Sequence, residues 1–436
     1  MKTLILLTLI TMCLSHTAYA KVYDHVEGNK LTLLEDPKVS ADYKVELIRK
    51  AKHHIHILTF FWDDSSIPQN ISKELSLANA RGVEVRILSS FIPTLGTDIL
   101  GKGRKNLKAR SQATFTYQSL TPGRLFSFTH NFHEKIFLVD GEMAIIGGRN
   151  ISDSSLAGKD MEVKLEGPVV NQVQDHFKKM FDFLVDLKIK SKCIIEETSK
   201  DCMEDLEKLK YTSGTSYFPE QPHFEENISA RIITHEAIVH QAENGMNNDE
   251  RLLQRDDILD TVINFEFKKL KAYNYFLIPT VRFRDFLEKN LAQGNSIEMI
   301  TNSMDSAKFS SNWGYFYSIP DALDLVQKGL ELYQWERNQK FNYVHEKVMI
   351  FDDERVVIGS HNFGTGSTSV SNEIVVDFKS KAIAARLTEV FENEKSDTKI
   401  TKKADAELLQ KEFNQYKRKI KYIRTKAVSK LLKEIY

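Results

Sequence analysis

Short apolar runs, bounded by Gly, Pro and charged turns, alternate with amphipathic stretches along most of the chain. Val45–Lys52 reads as a helix and His54–Trp62 as a strand. Ser66–Arg81 reads as a helix stopped by Gly82, and Val83–Ser89 as a buried strand. Thr129–Val139 and Ala144–Ile146 form a predicted strand pair, followed by a strand at Met161–Leu165. Pro168 opens an amphipathic helix to Lys188, with Pro at the favoured first position. The same order then returns. A strand within Leu270–Pro279, a helix at Val281–Ala292 and a strand at Ile297–Thr301 precede a helix at Pro320–Leu330 and a strand at Glu331–Trp335. Asn342–Phe351 and Val356–Ile358 are the second strand pair, Glu373–Phe378 a strand and Ala382–Glu392 a helix.

Strands alternating with helices predict an α/β architecture, here duplicated. At 436 residues the chain is long for one core. The expected division is 1–20, a 21–190 half, a 191–256 connection, a 257–400 half and a 401–436 tail. The connection is polar and irregular and reads as an insertion, partly helical. The tail from Lys402 to Tyr436 reads as helical and basic, with Lys417, Arg418, Lys419, Lys421, Arg424, Lys426, Lys430 and Lys433 among apolar residues. Such a helix suits either an anionic membrane surface or packing on the protein with a solvated face.

Further features change the picture. Met1-Lys2-Thr3, the apolar run Leu4–Leu14 and the small-x-small triplet Ala18-Tyr19-Ala20 predict a secretory signal removed after Ala20. The run is shorter than the ~20 apolar residues of a spanning helix. Export leaves Cys193 and Cys202 in the mature chain, and an even count there predicts a disulfide between them, two free thiols being the alternative. Basic and acidic residues balance at 60 each, which argues against a dedicated nucleic-acid binder. The Pro93–Gly123 segment is locally basic, suiting either a solvated face or contact with phosphate. His53, His54 and His56 lack acidic or Cys partners at ligand spacing, so no metal is expected there.

One pattern occurs twice with identical gaps. His133-x-Lys135, four residues, Asp140, six residues and Gly147-Gly148-x-Asn150 is matched by His345-x-Lys347, Asp352 and Gly359-Ser360-x-Asn362. On a strand each His and Lys, two apart, share a face, and Glu134 and Glu346 point the other way. Together the copies supply two imidazoles, two ammonium groups and two amides, a set suited to a phosphodiester. One imidazole can attack phosphorus and form a phospho-histidine. The other can protonate the leaving oxygen and then deprotonate the incoming nucleophile. Lysines and asparagines can hold the non-bridging oxygens, and the glycines would let backbone approach the phosphate.

These motifs resemble the two HKD motifs of the phospholipase D superfamily. Arg81–Arg86, Gly147–Asp153, Glu166–Val170, Thr301–Ser303 and Gly329–Tyr333 are similar to the bacterial cardiolipin synthase branch. The resemblance implies two α/β/α sandwich domains related by a pseudo-twofold, with one active site at their interface. It implies His133 as nucleophile and His345 as general acid/base, an order that could be exchanged. Lys135, Lys347, Asn150, Asn362 and Ser367 would bind phosphate. A downstream acid orients the opposite histidine: Glu373 in the second half, and Asp160 or Glu162 in the first, with Asp160 preferred. Asp140, Asp352, Gly147, Gly148, Gly359 and Ser360 would serve structure. The 191–256 segment has no counterpart, and the stretch after Asn362 lacks the arginine common before the serine.

The implied activity is an exported phospholipase D-type phosphodiesterase or transphosphatidylase. It would act on glycerophospholipids at a membrane surface, with an alcohol or water as acceptor. It would need no cofactor and no obligate nucleic acid, and would work as a monomer in the periplasm or outside the cell. An HKD-type endonuclease using the same chemistry is the alternative.

Overall fold

The computed structural model describes residues 22–63, 65–90, 113–118, 131–189, 194–196, 224–239, 256–308 and 312–425. The expected signal at 1–20, Cys193, Cys202, most of Pro93–Gly123 and the tail beyond 425 lie outside the described residues.

The strands of the first half are β1 (Val26–Leu34), β2 (His54–Thr59), β3 (Glu84–Ser90), β4 (Ala113–Gln118), β5 (Asn131–Phe132), β6 (Ile136–Val139), β7 (Met143–Gly147), β8 (Gly158–Lys159), β9 (Glu162–Glu166) and β10 (Ile194–Glu196). Those of the second half are β11 (Phe224–Glu236), β12 (Lys269–Tyr273), β13 (Ser296–Asn302), β14 (Glu331–Trp335), β15 (Tyr343–Val344), β16 (Val348–Phe351), β17 (Arg355–Gly359), β18 (Ser371–Lys379) and β19 (Thr401–Lys403).

The ladders repeat. β2 is parallel to β3 and β3 to β4, while β2–β6, β6–β7, β7–β9 and β9–β1 are antiparallel. β12 is parallel to β13 and β13 to β14, while β12–β16, β16–β17, β17–β18 and β18–β11 are antiparallel. β11 is therefore the second-half counterpart of β1, and the antiparallel β1–β11 ladder joins the two sheets edge to edge. The expectation of a polar, irregular connection over 191–256 is corrected for Phe224–Glu236. Its first residues alternate polar and look like a loop, but its last five are all buried.

Helices cover both faces, so strands such as Val348–Phe351 are buried throughout and read as apolar runs. Helices Val169–Ile189 and Lys381–Ser396 pack on a core shared by both halves, which includes Leu33, Val163, Phe177, Ile232, Val376 and Phe391. Helices Pro37–Lys50 and Ser66–Ala80 cover the outer face of the first half. Asp257–Val262, Val281–Ala292 and Asn312–Gln327 cover that of the second. Local signals set several starts. Asp36 caps the helix Pro37–Lys50 by accepting from the Lys38 and Val39 amides at 2.9 and 3.1 Å. The helix expected from Pro320 begins earlier, at Asn312, with Pro320 inside it. No helix among the described residues is long and apolar enough to cross a membrane.

Candidate active site

Each motif lies where a strand breaks. His133–Lys135 separate β5 from β6, and His345–Lys347 separate β15 from β16, so the continuous strands expected there are interrupted at the chemistry. The motif aspartates end the following strand. Asp140 has φ 54° and accepts from the amides of Lys52, His53 and His54 at 2.8–2.9 Å. Asp352, with φ 51°, accepts from Lys268 and Lys269 at 2.8 Å. Both tie the motif to the neighbouring strand, and aspartate tolerates this left-handed backbone better than most residues.

The short strands before each histidine cross to the other half. β5 runs parallel to β18, pairing Asn131 with Ser371 and Phe132 with Asn372. β15 runs parallel to β8, pairing Tyr343 with Gly158 and Val344 with Lys159. One more residue along each register sets His133 beside Glu373 and His345 beside Asp160. His133 Nδ1 is 2.9 and 3.1 Å from the two Glu373 oxygens, and His345 Nδ1 is 2.7 Å from Asp160 Oδ2. An ionised carboxylate only accepts, so each Nδ1 carries hydrogen and each Nε2 is left for a substrate. Glu162 instead binds Lys44 at 2.6 Å, along with Arg149 and Ser40.

The lysines turn back on the histidines: Lys135 Nζ donates to the His133 carbonyl at 2.5 Å, and Lys347 Nζ to that of His345. Burial pushes Lys135 down to about 7, assisted by Lys347, and pushes Lys347 down to about 8. Burial also lowers both histidines to about 4, with the Lys347 and Lys135 charges acting across the halves on each. Burial opposes the Glu373 charge, but His133 and its hydrogen bond outweigh it and hold the carboxyl at about 2. Asp160 is lowered in the same way by His345 against the effect of burial. The site thus holds neutral imidazoles and weakly held lysine protons; an incoming phosphodiester anion favours the charged form of the lysines and of one imidazole, while the other must stay neutral to attack through Nε2.

Two further motif features have partners within the protein. Ser367 lies against Glu373 and the Asn362 backbone. Its hydroxyl donates to Glu373 at 2.6 Å and accepts from the Asn362 amide at 3.0 Å. The motif glycines make room for the segments that carry the orienting acids. A Cβ on Gly148 would stand 2.8 Å from Asp160 Cγ, and one on Gly359 2.7 Å from Val375 Cα. Ser360, at the position of Gly148, donates to Glu373 instead. Asn150 and Asn362 each bury an Oδ1 that has no partner among the described residues; as an acceptor it suits a hydroxyl, and only the Nδ2 of each amide could donate to a phosphate oxygen.

Behind the site stand pairs that the motifs did not signal. The variable residue before each asparagine is anchored: Arg149 to Glu162 and to the carbonyls of Leu34 and Glu35, His361 to Asp256 at 2.7 Å. Asp256 also accepts from Thr368 and caps the helix Asp257–Val262. Glu134 and Glu346 do face away from the site, toward His176 and Lys159. Phe60 packs edge-on to His133 with centroids 4.9 Å apart, and Tyr275 to His345 at 5.2 Å.

Residues 45–181 and 267–395 match the family described as cardiolipin synthase, PLD-like domain, over more than half of the chain. The chain belongs to this family. Cardiolipin synthase 1 of Staphylococcus epidermidis is 22% identical over 385 residues, covering 86% of this chain and 70% of its own length. Cardiolipin synthase B of Escherichia coli is 25% identical over 364 residues, covering 80% and 76%. The crystal structure of phosphatidylserine synthase from Haemophilus influenzae shares the fold, with TM-score 0.63, 15% identity and coverage of 93% of this chain and 95% of that one. The PLD-like match includes both motifs and both orienting carboxylates, and omits β1, β11 and Asp256.

Proposed function

We propose that this PLD-like enzyme transfers a phosphatidyl group from a glycerophospholipid to an alcohol or to water. The observation that carries it is the reciprocal pairing of His133 with Glu373 and His345 with Asp160. His133 Nε2 attacks phosphorus while the bond to the leaving alcohol breaks and His345 gives that oxygen its proton. His345 then takes the proton of the incoming hydroxyl, whose oxygen attacks phosphorus as the bond to His133 breaks. Lys135, Lys347, Asn150 and Asn362 bind the non-bridging oxygens. Cardiolipin synthases among the relatives favour a lipid substrate over a nucleic acid. Export, inferred from residues 1–20, would place the reaction in the periplasm or outside the cell.

Incubating the purified protein with mixed phospholipids and a primary alcohol should give the phosphatidyl alcohol. Denatured protein caught during turnover should carry acid-labile phosphate on His133. His133→Ala and His345→Ala should each remove turnover. Undiminished turnover in either variant, or cleavage of DNA or RNA without lipid turnover, would replace this reading.

A further inference from the structure

The helix Ala406–Ile423 shows two chemically distinct faces. Leu409, Ile420 and Ile423 are buried, and Phe413 and Tyr416 pack on Phe276, Tyr315 and Phe316. That three-and-four spacing is an inward apolar stripe. On the outside, Lys411, Lys417, Arg418 and Lys421 are exposed, and among the described residues none of them has a carboxylate partner. From Asn414 to Thr425 the chain contains no acidic residue, although the protein as a whole is neutral. Tyr422, 62% exposed, stands beside Trp313, 47% exposed, with ring centroids 6.5 Å apart. The rings belong to two helices, which are locked together by Phe316 against Tyr416 at 4.8 Å and by Arg424 to Asp321 at 2.8 Å.

An exposed indole and phenol side by side are costly in water and suited to the headgroup layer of a bilayer, where an apolar ring and a polar tip are both satisfied. Unpaired cations around them attract anionic headgroups. The face is coupled to the site: Phe276, in the cluster beneath the helix, lies 4.4 Å from Tyr275, the ring that packs on His345. A bilayer fits better than a nucleic acid because the two ring planes are tilted by 43° and form no parallel slot for a base.

We propose that Trp313, Tyr422, Lys417, Arg418 and Lys421 form a docking face for an anionic bilayer, holding the second-half wall of the site against the surface. The clause about the site rests on the phospholipid reading above, whereas adsorption itself does not.

Trp62 and Trp335 are both 1% exposed, so a change in tryptophan emission on vesicle binding reports Trp313. Vesicles of phosphatidylglycerol and phosphatidylcholine should shift the emission of the full chain to the blue at physiological salt. Phosphatidylcholine alone should not, and Trp313→Phe should lose the shift. Reversing Lys417, Arg418 and Lys421 together to Glu should weaken co-sedimentation with anionic vesicles by roughly a hundredfold. Hydrolysis of water-soluble bis(p-nitrophenyl) phosphate and the melting temperature should stay unchanged. Wild-type sedimentation by the triple variant, an emission shift with a DNA oligonucleotide but not with vesicles, or loss of soluble turnover in the triple variant would each overturn the proposal. His133→Ala should still bind vesicles. If wild-type protein binds them yet turns over no lipid, the docking face stands and the catalytic reading falls.

Discussion

His133 Nδ1 lies 2.9 Å from Glu373 Oε1, although 240 residues separate the two along the chain. The mirror contact, His345 to Asp160, spans 185 residues in the opposite sense. Each imidazole is supplied by one half and oriented by the other.

Replacing Glu373 by Gln tests the first contact. An amide can present its nitrogen to Nδ1, favouring the tautomer with hydrogen on Nε2, where the nucleophile needs a lone pair. kcat should fall about 10²–10⁴-fold with KM little changed, by analogy with loss of the orienting acid in a hydrolytic triad. Steady-state kinetics decide it, and wild-type kcat would show that Glu373 does not orient His133.

Gly148→Ala tests the packing of Asp160. The added Cβ meets the Asp160 carboxyl, which is buried and held by His345 and the Met161 amide. Overpacking should cost about 1–3 kcal/mol in denaturant unfolding, and kcat should drop because Asp160 is displaced from His345. Gly294, with φ 77° and open space around it, is the control. Alanine there should cost about 1 kcal/mol and leave kcat intact.

The lysines predict an alkaline limit. Lys135 and Lys347 lose protons near 7 and 8 in the free protein, so kcat/KM should decline as pH rises through that interval. Stability moves the other way. Both bases are depressed below their unfolded value of 10.5, so their unfavourable contribution is present below about 7 and is relieved as pH rises from about 7 toward 10.5. Glu373, depressed from 4.5 to about 2, contributes stability above about 4.5 that is lost as pH falls toward 2. Urea titrations of wild type and Glu373→Gln at several pH values should converge at the acid end. A difference between them that holds constant from pH 6 to pH 2 would contradict this assignment.

Asp256→Asn should loosen the loop that carries Asn362 and Ser367. Asp256 Oδ2 accepts from both His361 and Thr368, and an amide nitrogen there would face two donors. The cost should be about 3 kcal/mol of stability, with weaker substrate binding in KM as Asn362 shifts. Wild-type stability would show that the buried pair contributes nothing.

Much of the site was legible because its spacing is short-range. His, Lys and Asp within eight residues carry the same chemistry wherever they fold. Glu373 and Asp160 needed the family resemblance, since the β5–β18 and β15–β8 registers decide which carboxylate arrives, and no local pattern encodes them. β11 was missed because its exposed start, Phe224–Asn227, alternates like a surface loop and becomes a strand only between β1 and β18. Ser367 came from the family resemblance, and its contact with Glu373 had no local signal in the sequence. Phe60, Tyr275 and Asp256 had no signal beyond ordinary apolar and acidic positions.

The crossed arrangement of imidazoles and carboxylates also imposes an order on biosynthesis. A ribosome releases His133 long before it has translated Glu373, so the first imidazole stays without its orienting acid until β18 has been made and has docked. A product that stops before Glu373 therefore carries the nucleophile's imidazole without the carboxylate that fixes its tautomer.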